Sequence, residues 1–74
     1  MKVLLFGLIA EKAGASEIDV QGSSTGELRQ ALTGRIVGLD RMMYAIAVDR
    51  RIVHEDIPLT GSEEIAVLPP FAGG

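Results

Sequence analysis

No cysteine occurs among the 74 residues of this chain. A thiolate nucleophile, a disulfide framework and a cysteine-ligated zinc site are therefore excluded. If sulfur chemistry takes place on this protein, no side-chain thiol carries it. Because nothing in the composition points to an oxidising compartment, we expect a cytoplasmic protein.

Basic and aromatic side chains are also scarce. Seven Lys and Arg residues stand against ten Asp and Glu, which gives a formal net charge of −3, and aromatic residues make up 4% of the chain. Such a field repels phosphate backbones, and few rings are available for stacking on bases. We expect no nucleic-acid partner.

Long hydrophobic runs are missing. No stretch approaches the roughly 20 apolar residues that a membrane-spanning helix needs. Lys2, the apolar residues 3–10 and the small residues 13–15 imitate a short secretory signal, but charged residues 11–12 interrupt the pattern. Cleavage after such a signal would also delete a strand from a small core. We therefore expect neither secretion nor membrane association.

What the chain does have is the composition of one small globular domain. Hydrophobic residues make up 47% of it and charged residues 23%, which is too apolar for a disordered segment. A domain of this size buries only about 60% of its unfolded surface. There is little room for an enclosed active-site cavity.

The apolar pattern predicts an α+β fold with a mixed sheet. Residues 3–6 are apolar on both faces, as expected for a central strand. Four further segments have the pattern of strands, at residues 17–20, 44–49, 52–53 and 64–68. The first two strands of the chain are expected to pair as a hairpin. The order is two strands, the main helix, then three strands, with no repeat or linker.

Two helical segments are predicted. Residues 8–14 form a short helix or turn that ends at Gly14, because glycine suits the position after a helix. Ser24 and Glu27 have the spacing of a capping box at the start of the main helix. An apolar stripe follows at Leu28, Ala31 and Leu32.

The main helix is expected to stop at Gly34 or Gly38. Residues 34–43 receive no assignment, because their apolar side chains fit either a helix tail or a packed loop.

Alternation along the first strand separates two faces. Lys2, Leu4 and Phe6 share one, and Val3 and Leu5 share the other. The main helix is long enough to cover one of them, and an exposed apolar sheet face usually marks a protein-binding site. Alternation does not decide which face is covered, so both arrangements stay open.

The chain ends in two prolines, an aromatic residue and small residues. Proline fixes φ, so the six residues from Pro69 could reach roughly 20 Å. The two last residues lack a Cβ and fit a narrow channel, which makes the terminal carboxylate a candidate reactive group. The alternative is a frayed end. The tail consists of Pro69, Pro70, Phe71, Ala72, Gly73 and Gly74.

Other candidate groups are weaker. His54 has no serine, cysteine or second histidine at a useful spacing, and a solvated loop histidine is the more common case. The acid pairs 55–56 and 63–64 are typical of solvated loops. The glycines at 7, 14 and 22 do not form a phosphate-binding loop. No catalytic constellation and no metal site are predicted inside the domain.

The order of elements and the tail resemble the ubiquitin-like sulfur carriers, and among them the small subunits of molybdopterin synthase. The similarity spans nearly the whole chain, and the two prolines before a final diglycine are its most diagnostic part. It is carried by residues 2–6, 11–14, 28–29, 47–48, 58–59, 64–66 and 69–74.

The resemblance implies a β-grasp domain over residues 1–68 and a flexible tail over residues 69–74. An E1-like enzyme would adenylate the Gly74 carboxylate with ATP, and a sulfur donor would convert it to a thiocarboxylate. The tail would enter the large subunit of molybdopterin synthase, where two sulfur transfers build the dithiolene of molybdopterin. The carrier would be no enzyme alone and would bind no cofactor. Phe6, Leu4 and Leu68 would contact the partner.

The chain departs from that family at three places. Many relatives have a basic residue where Ala10 stands, and an asparagine followed by glycine or a similar turn residue where Asp49 and Arg50 stand. Relatives also often have an aromatic residue at Val67 or Leu68. Three alternatives stay open: a sulfur carrier for thiamin or tRNA thiolation, a ubiquitin-like protein modifier, and a plain interaction module with an idle tail.

Overall fold

The computed structural model describes residues 1–69. It contains five strands, two α-helices and a short 3₁₀ helix at Leu39–Arg41. The elements are β1 (Lys2–Leu5), α1 (Gly7–Ala13), β2 (Glu17–Asp19), α2 (Thr25–Arg35), β3 (Ala45–Val48), β4 (Arg51–Val53) and β5 (Ile65–Leu68).

The five strands form one sheet in the order β2-β1-β5-β3-β4. β1 runs parallel to β5, whereas every other neighbouring pair is antiparallel. The expected mixed sheet and the pairing of the first two strands are confirmed. Each strand ends within one residue of its predicted limit.

Both helices lie on one face of the sheet and enclose the core with it. Val3 and Leu5 of β1 are buried there, so the helices cover the face that carries these two residues and not the face of Lys2, Leu4 and Phe6. The core contains Val3, Leu5, Ile9, Val20, Leu28, Leu32, Ile36, Leu39, Ile46, Val48, Leu59, Ile65 and Val67.

The start of α2 follows the predicted capping box in part. The Ser24 hydroxyl accepts a hydrogen bond from the backbone N–H of Glu27 at 3.2 Å, as expected. The Glu27 carboxylate accepts from the backbone N–H and the hydroxyl of Ser23, both at 2.9 Å, one residue before the position a capping box uses. These bonds hold the pKa of Glu27 below its ordinary value, and the bond from the backbone N–H contributes most.

The predicted end of α2 is wrong. The helix runs through Gly34 to Arg35 and is capped by Ile36, whose backbone is extended at φ −113°. Ile36 is buried in the core, and turning the chain there brings its side chain inward. Gly38, with φ 87°, precedes the 3₁₀ helix instead of ending α2.

The predicted end of α1 is confirmed. Gly14 is left-handed, with φ 74°, and its N–H donates to the carbonyl oxygens of Ala10 and Glu11. Glycine reaches this conformation without the steric cost a Cβ imposes.

The turn between β3 and β4 is built without glycine. Asp49 and Arg50 have φ values of 50° and 70°, the left-handed pair that a two-residue hairpin turn requires. Asp49 fixes the turn to the start of β5, because its N–H donates to the Glu64 carbonyl oxygen at 2.8 Å and its carboxylate accepts from the Glu64 N–H at 2.9 Å.

Candidate functional site

The sheet face turned away from the helices carries an unusual row of residues. Leu4 lies opposite Ala66, Ala66 opposite Ala47, and Ala47 opposite Ile52, so one register position crosses four strands. All four residues are apolar. We call this side of the sheet the outer face.

Larger side chains stand at both sides of this face. Phe6 is 45% exposed and Ile52 is 43% exposed, while Leu4 and Leu68 are partly buried. The strands between them present alanines, so the middle of the face is shallow. The apolar patch consists of Leu4, Phe6, Leu68 and Ile52 around Ala45, Ala47 and Ala66.

A polar rim borders the apolar patch on the β2 side. The Lys2 ammonium group lies 3.5 Å from the Glu17 carboxylate. The amino group of Met1 lies 3.0 Å from the Asp19 carboxylate. An apolar centre with a charged edge is the usual anatomy of a protein-binding surface. The predicted contact residues Phe6, Leu4 and Leu68 are thus brought together on one accessible face.

The tail leaves the sheet beside this patch. The backbone N–H of Phe6 donates to the Val67 carbonyl oxygen at 3.2 Å, which extends the β1–β5 pairing one residue beyond β1. Pro69 follows Leu68 and is partly buried. Its ring covers Gly7, where a Cβ would lie 3.1 Å from the proline Cγ.

The other predicted tail residues lie outside the described part of the chain. These are Pro70, Phe71, Ala72, Gly73 and Gly74. The expected role of Gly74, and of the tail as a whole, stays a prediction. What the structure supplies is the place and surroundings from which the tail starts.

One carboxylate in each of the two acid pairs has backbone partners that explain it. Asp56 accepts from the backbone N–H of Gly26 at 2.8 Å, at the start of α2, where a carboxylate also complements the helix dipole. Glu63 accepts from the N–H groups of Thr60 and Gly61. The bond from Thr60 is the main cause that lowers the pKa of Glu63. These carboxylates organise loops.

His54 is exposed and lines an open depression of about 240 Å³ together with Ile52, Val53, Glu55 and Ile57. Within residues 1–69, no group of three or more His, Asp or Glu side chains is placed to hold a metal ion. No helix in the same range is long and apolar enough to cross a membrane.

The comparison with protein families decides what this arrangement belongs to. The model of the ThiS family matches residues 3–74. This chain belongs to that family of ubiquitin-like sulfur carriers. The molybdopterin synthase sulfur carrier subunit of Escherichia coli is 31% identical to it, over 100% of this chain and 99% of the relative.

Solved structures agree on the fold. A complex of subunits 1 and 2 of the molybdopterin-converting factor from Helicobacter pylori contains a chain 28% identical, with a TM-score of 0.70, over 99% of this chain and 96% of that one. Small archaeal modifier protein 1 of H. volcanii is 24% identical, with a TM-score of 0.77, over 96% and 97%. The β-grasp fold is confirmed.

Sequence patterns did not single out two features of the site. The sequence pattern predicts Ile52 in a strand, but only the register shows that it shares a face with Leu4. Gly7 stands within the apolar residues 3–10 and belongs to no phosphate-binding loop. A glycine between the first strand and a following helix was the available signal, although nothing local reveals its contact with Pro69, 62 residues away.

Proposed function

We propose that this ThiS-family chain is the sulfur-carrier small subunit of a molybdopterin synthase. Its Gly74 carboxylate is adenylated and then converted to a thiocarboxylate, which donates sulfur to the pyranopterin precursor of molybdopterin. The chain contributes the donor group, and a larger subunit contributes the catalytic site. Both are placed in the cytoplasm.

The observation that carries the proposal is the continuity of the apolar patch with the start of the tail. Phe6 and Val67 are joined by a backbone hydrogen bond, and Leu68, the last residue before the prolines, belongs to the patch. A partner that binds this face receives the tail at the border of the same interface. The full-length similarity to a molybdopterin synthase sulfur carrier subunit supports this assignment.

The chemistry needs activation before sulfur can be accepted. An ionised α-carboxylate, with a pKa of about 3.5, does not exchange oxygen for sulfur, but it can attack the α-phosphate of ATP. That attack forms an acyl adenylate and releases pyrophosphate. Attack of a sulfide-level donor on the acyl carbon then expels AMP and leaves the thiocarboxylate. The ATP belongs to the activating enzyme, and no cofactor is held by this chain.

Two protein partners follow from these steps. An E1-like adenylating enzyme loads the terminus, and the large subunit of molybdopterin synthase consumes the sulfur. The Helicobacter pylori structure holds both subunits of a molybdopterin-converting factor, which supports a partner of this kind for the present chain. The apolar patch with its charged rim is the surface we assign to these contacts.

Reconstitution tests the proposal. The chain is incubated with ATP, the activating enzyme and a sulfide donor, and is then added to the large subunit and the pyranopterin precursor. We expect a dithiolene product with the full chain and none with a chain that lacks Gly74. Val37→Ala, a change at an exposed position between α2 and the 3₁₀ helix, serves as the control and leaves the yield unchanged.

Three outcomes would contradict this assignment. If the loaded chain donates sulfur only to a thiazole-forming synthase or to a tRNA-thiolating enzyme, it is a carrier for another pathway. If the activated terminus is joined to lysine amines, the chain is a protein modifier. Failure of the activating enzyme to form any acyl adenylate would remove the carrier role itself.

A further inference from the structure

The ring of Pro69 lies so close to Gly7 that a side chain at position 7 would be crowded. A Cβ at position 7 would lie 3.1 Å from Cγ of Pro69 and 3.6 Å from its Cδ. Non-bonded carbons prefer separations of about 3.5–4.0 Å. The proline ring therefore rests on the bare α-carbon of the glycine.

Gly7 also turns the chain at this point. Phe6 is extended, with φ −128° and ψ 154°, and Gly7 has φ 58° and begins α1. The first strand thus ends, and the helix leaves the sheet, beside the last residues of β5. The turn creates the space that Pro69 occupies.

We propose that Gly7 is a positioning residue that sets the direction in which the C-terminal tail leaves the domain. This inference rests on the proposed function. The Pro69 ring cannot rotate away as a flexible side chain would, because it is closed onto the backbone. Beyond the small freedom of its pucker, the ring yields to a Cβ at position 7 only by a shift of the chain at Pro69, and restoring ordinary contact distances takes about 0.5 Å in total.

A shift at Pro69 moves the point from which the terminus is presented to the partner. The five residues after Pro69 extend at most about 17 Å, so a change in their starting point or direction changes the positions that Gly74 can reach. Misplacement of a reacting group by about 1 Å can lower a rate by about 100-fold. The contact governs where the terminal carboxylate is presented, while the apolar patch governs how tightly the partner binds.

The chain offers a matched control at the other end of the same helix. Gly14 is left-handed like Gly7, with φ 74°, but a Cβ there would meet no atom within 4 Å. Gly7→Ala and Gly14→Ala therefore introduce the same kind of backbone strain, and only the first touches the tail. Both variants should lower Tm by several degrees, on the order of 5 °C.

The two variants are expected to separate in sulfur transfer. We expect Gly7→Ala to lower the kcat of transfer with the large subunit by about 10-fold or more, with the Kd for that subunit changed less than about twofold. Gly14→Ala should leave both values near those of the wild type. A nuclear Overhauser effect between Hα of Gly7 and Hγ of Pro69 should be present in the wild type and in Gly14→Ala.

A double-mutant cycle tests the coupling itself. Pro69→Ala removes the ring atoms that the new Cβ meets, so Gly7→Ala should change kcat by less than about twofold in that background. Equal losses from Gly7→Ala with and without Pro69 would overturn the proposal, as would equal kcat losses in Gly7→Ala and Gly14→Ala. If Gly7→Ala does not fold, absence of the Overhauser effect in the wild type overturns it. A wild-type chain that transfers no sulfur refutes the proposed function instead.

Discussion

The amide nitrogen of Phe6 lies 3.2 Å from the carbonyl oxygen of Val67. This single hydrogen bond joins Phe6, whose aromatic side chain is the most exposed within residues 1–69, to the strand from which the tail departs. The apolar patch and the start of the tail at Pro69 are therefore parts of one continuous surface. Each can be tested by itself.

Replacing Phe6 with Ala should weaken partner binding much more than folding. Phe6 is 45% exposed and lies outside the core, so its loss leaves no buried cavity. Aromatic side chains that become buried in an interface often dominate affinity. We expect Kd for the large subunit to rise by about 10-fold or more, measured by titration calorimetry.

Val37→Ala is the control for Phe6→Ala, because Val37 is 87% exposed but lies beside the helices, away from the outer face. It should change neither affinity nor Tm. A collapse of folding in Phe6→Ala, with normal affinity in the folded fraction, would show that Phe6 acts in the core.

Arg50→Gly should stabilise the protein. Arg50 has φ 70°, and a residue with a Cβ adopts that conformation at a cost of about 1–2 kcal/mol. Its ion pair with Glu64, at 3.4 Å, is solvent-exposed and is worth at most about 1 kcal/mol. We expect a gain of about 0.5–1 kcal/mol in the free energy of unfolding, measured by urea titration.

Arg51→Gly provides the comparison for that change. Arg51 lies in β4 and has no positive φ, so glycine there only weakens the strand. Stability should fall in this variant. Equal effects of the two substitutions would mean that the turn is not strained.

Thr25→Val should cost about 2 kcal/mol of stability. The Thr25 hydroxyl donates to the Glu55 carbonyl oxygen at 3.0 Å and accepts from the Ile57 N–H at 2.9 Å, and the residue is buried. Valine keeps the shape but leaves both backbone groups without this partner, which costs about 1–3 kcal/mol. Thermal denaturation measures the loss.

Thr33→Val is the matched control for Thr25→Val. The Thr33 hydroxyl donates to the Arg29 carbonyl oxygen at 2.9 Å, but on the exposed surface of α2, where water can replace it. We expect a change within about 0.5 kcal/mol. If both variants lose the same stability, burial of Thr25 has no special importance.

Glu63→Gln should make the free energy of unfolding less dependent on pH in the acidic range. Hydrogen bonds from the backbone, that of Thr60 first, place the pKa of folded Glu63 below its ordinary value of 4.5. A lowered folded pKa adds stability that is complete above the unfolded pKa and is lost as pH falls through the folded value. The difference between wild type and variant should therefore shrink below about pH 4.5. A difference that stays constant from pH 7 to about pH 3 would contradict this assignment.

How much the sequence revealed depended on whether a pattern was local. Strand alternation and the left-handed Gly14 could be predicted, because period and glycine conformation are properties of a few neighbouring residues. The end of α2 could not be predicted in this way. Ile36 leaves the helix to fill the core, whereas Gly34 lies within the helix and its α-carbon faces open space.

The site shows the same limit. Leu4, Phe6 and Leu68 could be chosen from the pattern and the family resemblance, but which face was covered depended on the packing of both helices. The alanines and Ile52 join them only through the register of four strands. The contact of Gly7 with Pro69 joins the two ends of the domain, and no local pattern predicts it.

The most direct test is the intact mass of the protein isolated from its own cells. Replacement of a terminal oxygen by sulfur adds about 16 mass units, which we expect for the wild type and not for a chain that lacks Gly74. Gly73→Val, with its added bulk in the tail, should abolish transfer of that sulfur and leave Tm nearly unchanged. An unmodified mass in cells that are making molybdopterin, or a terminus joined only to lysine, would contradict the sulfur-carrier account.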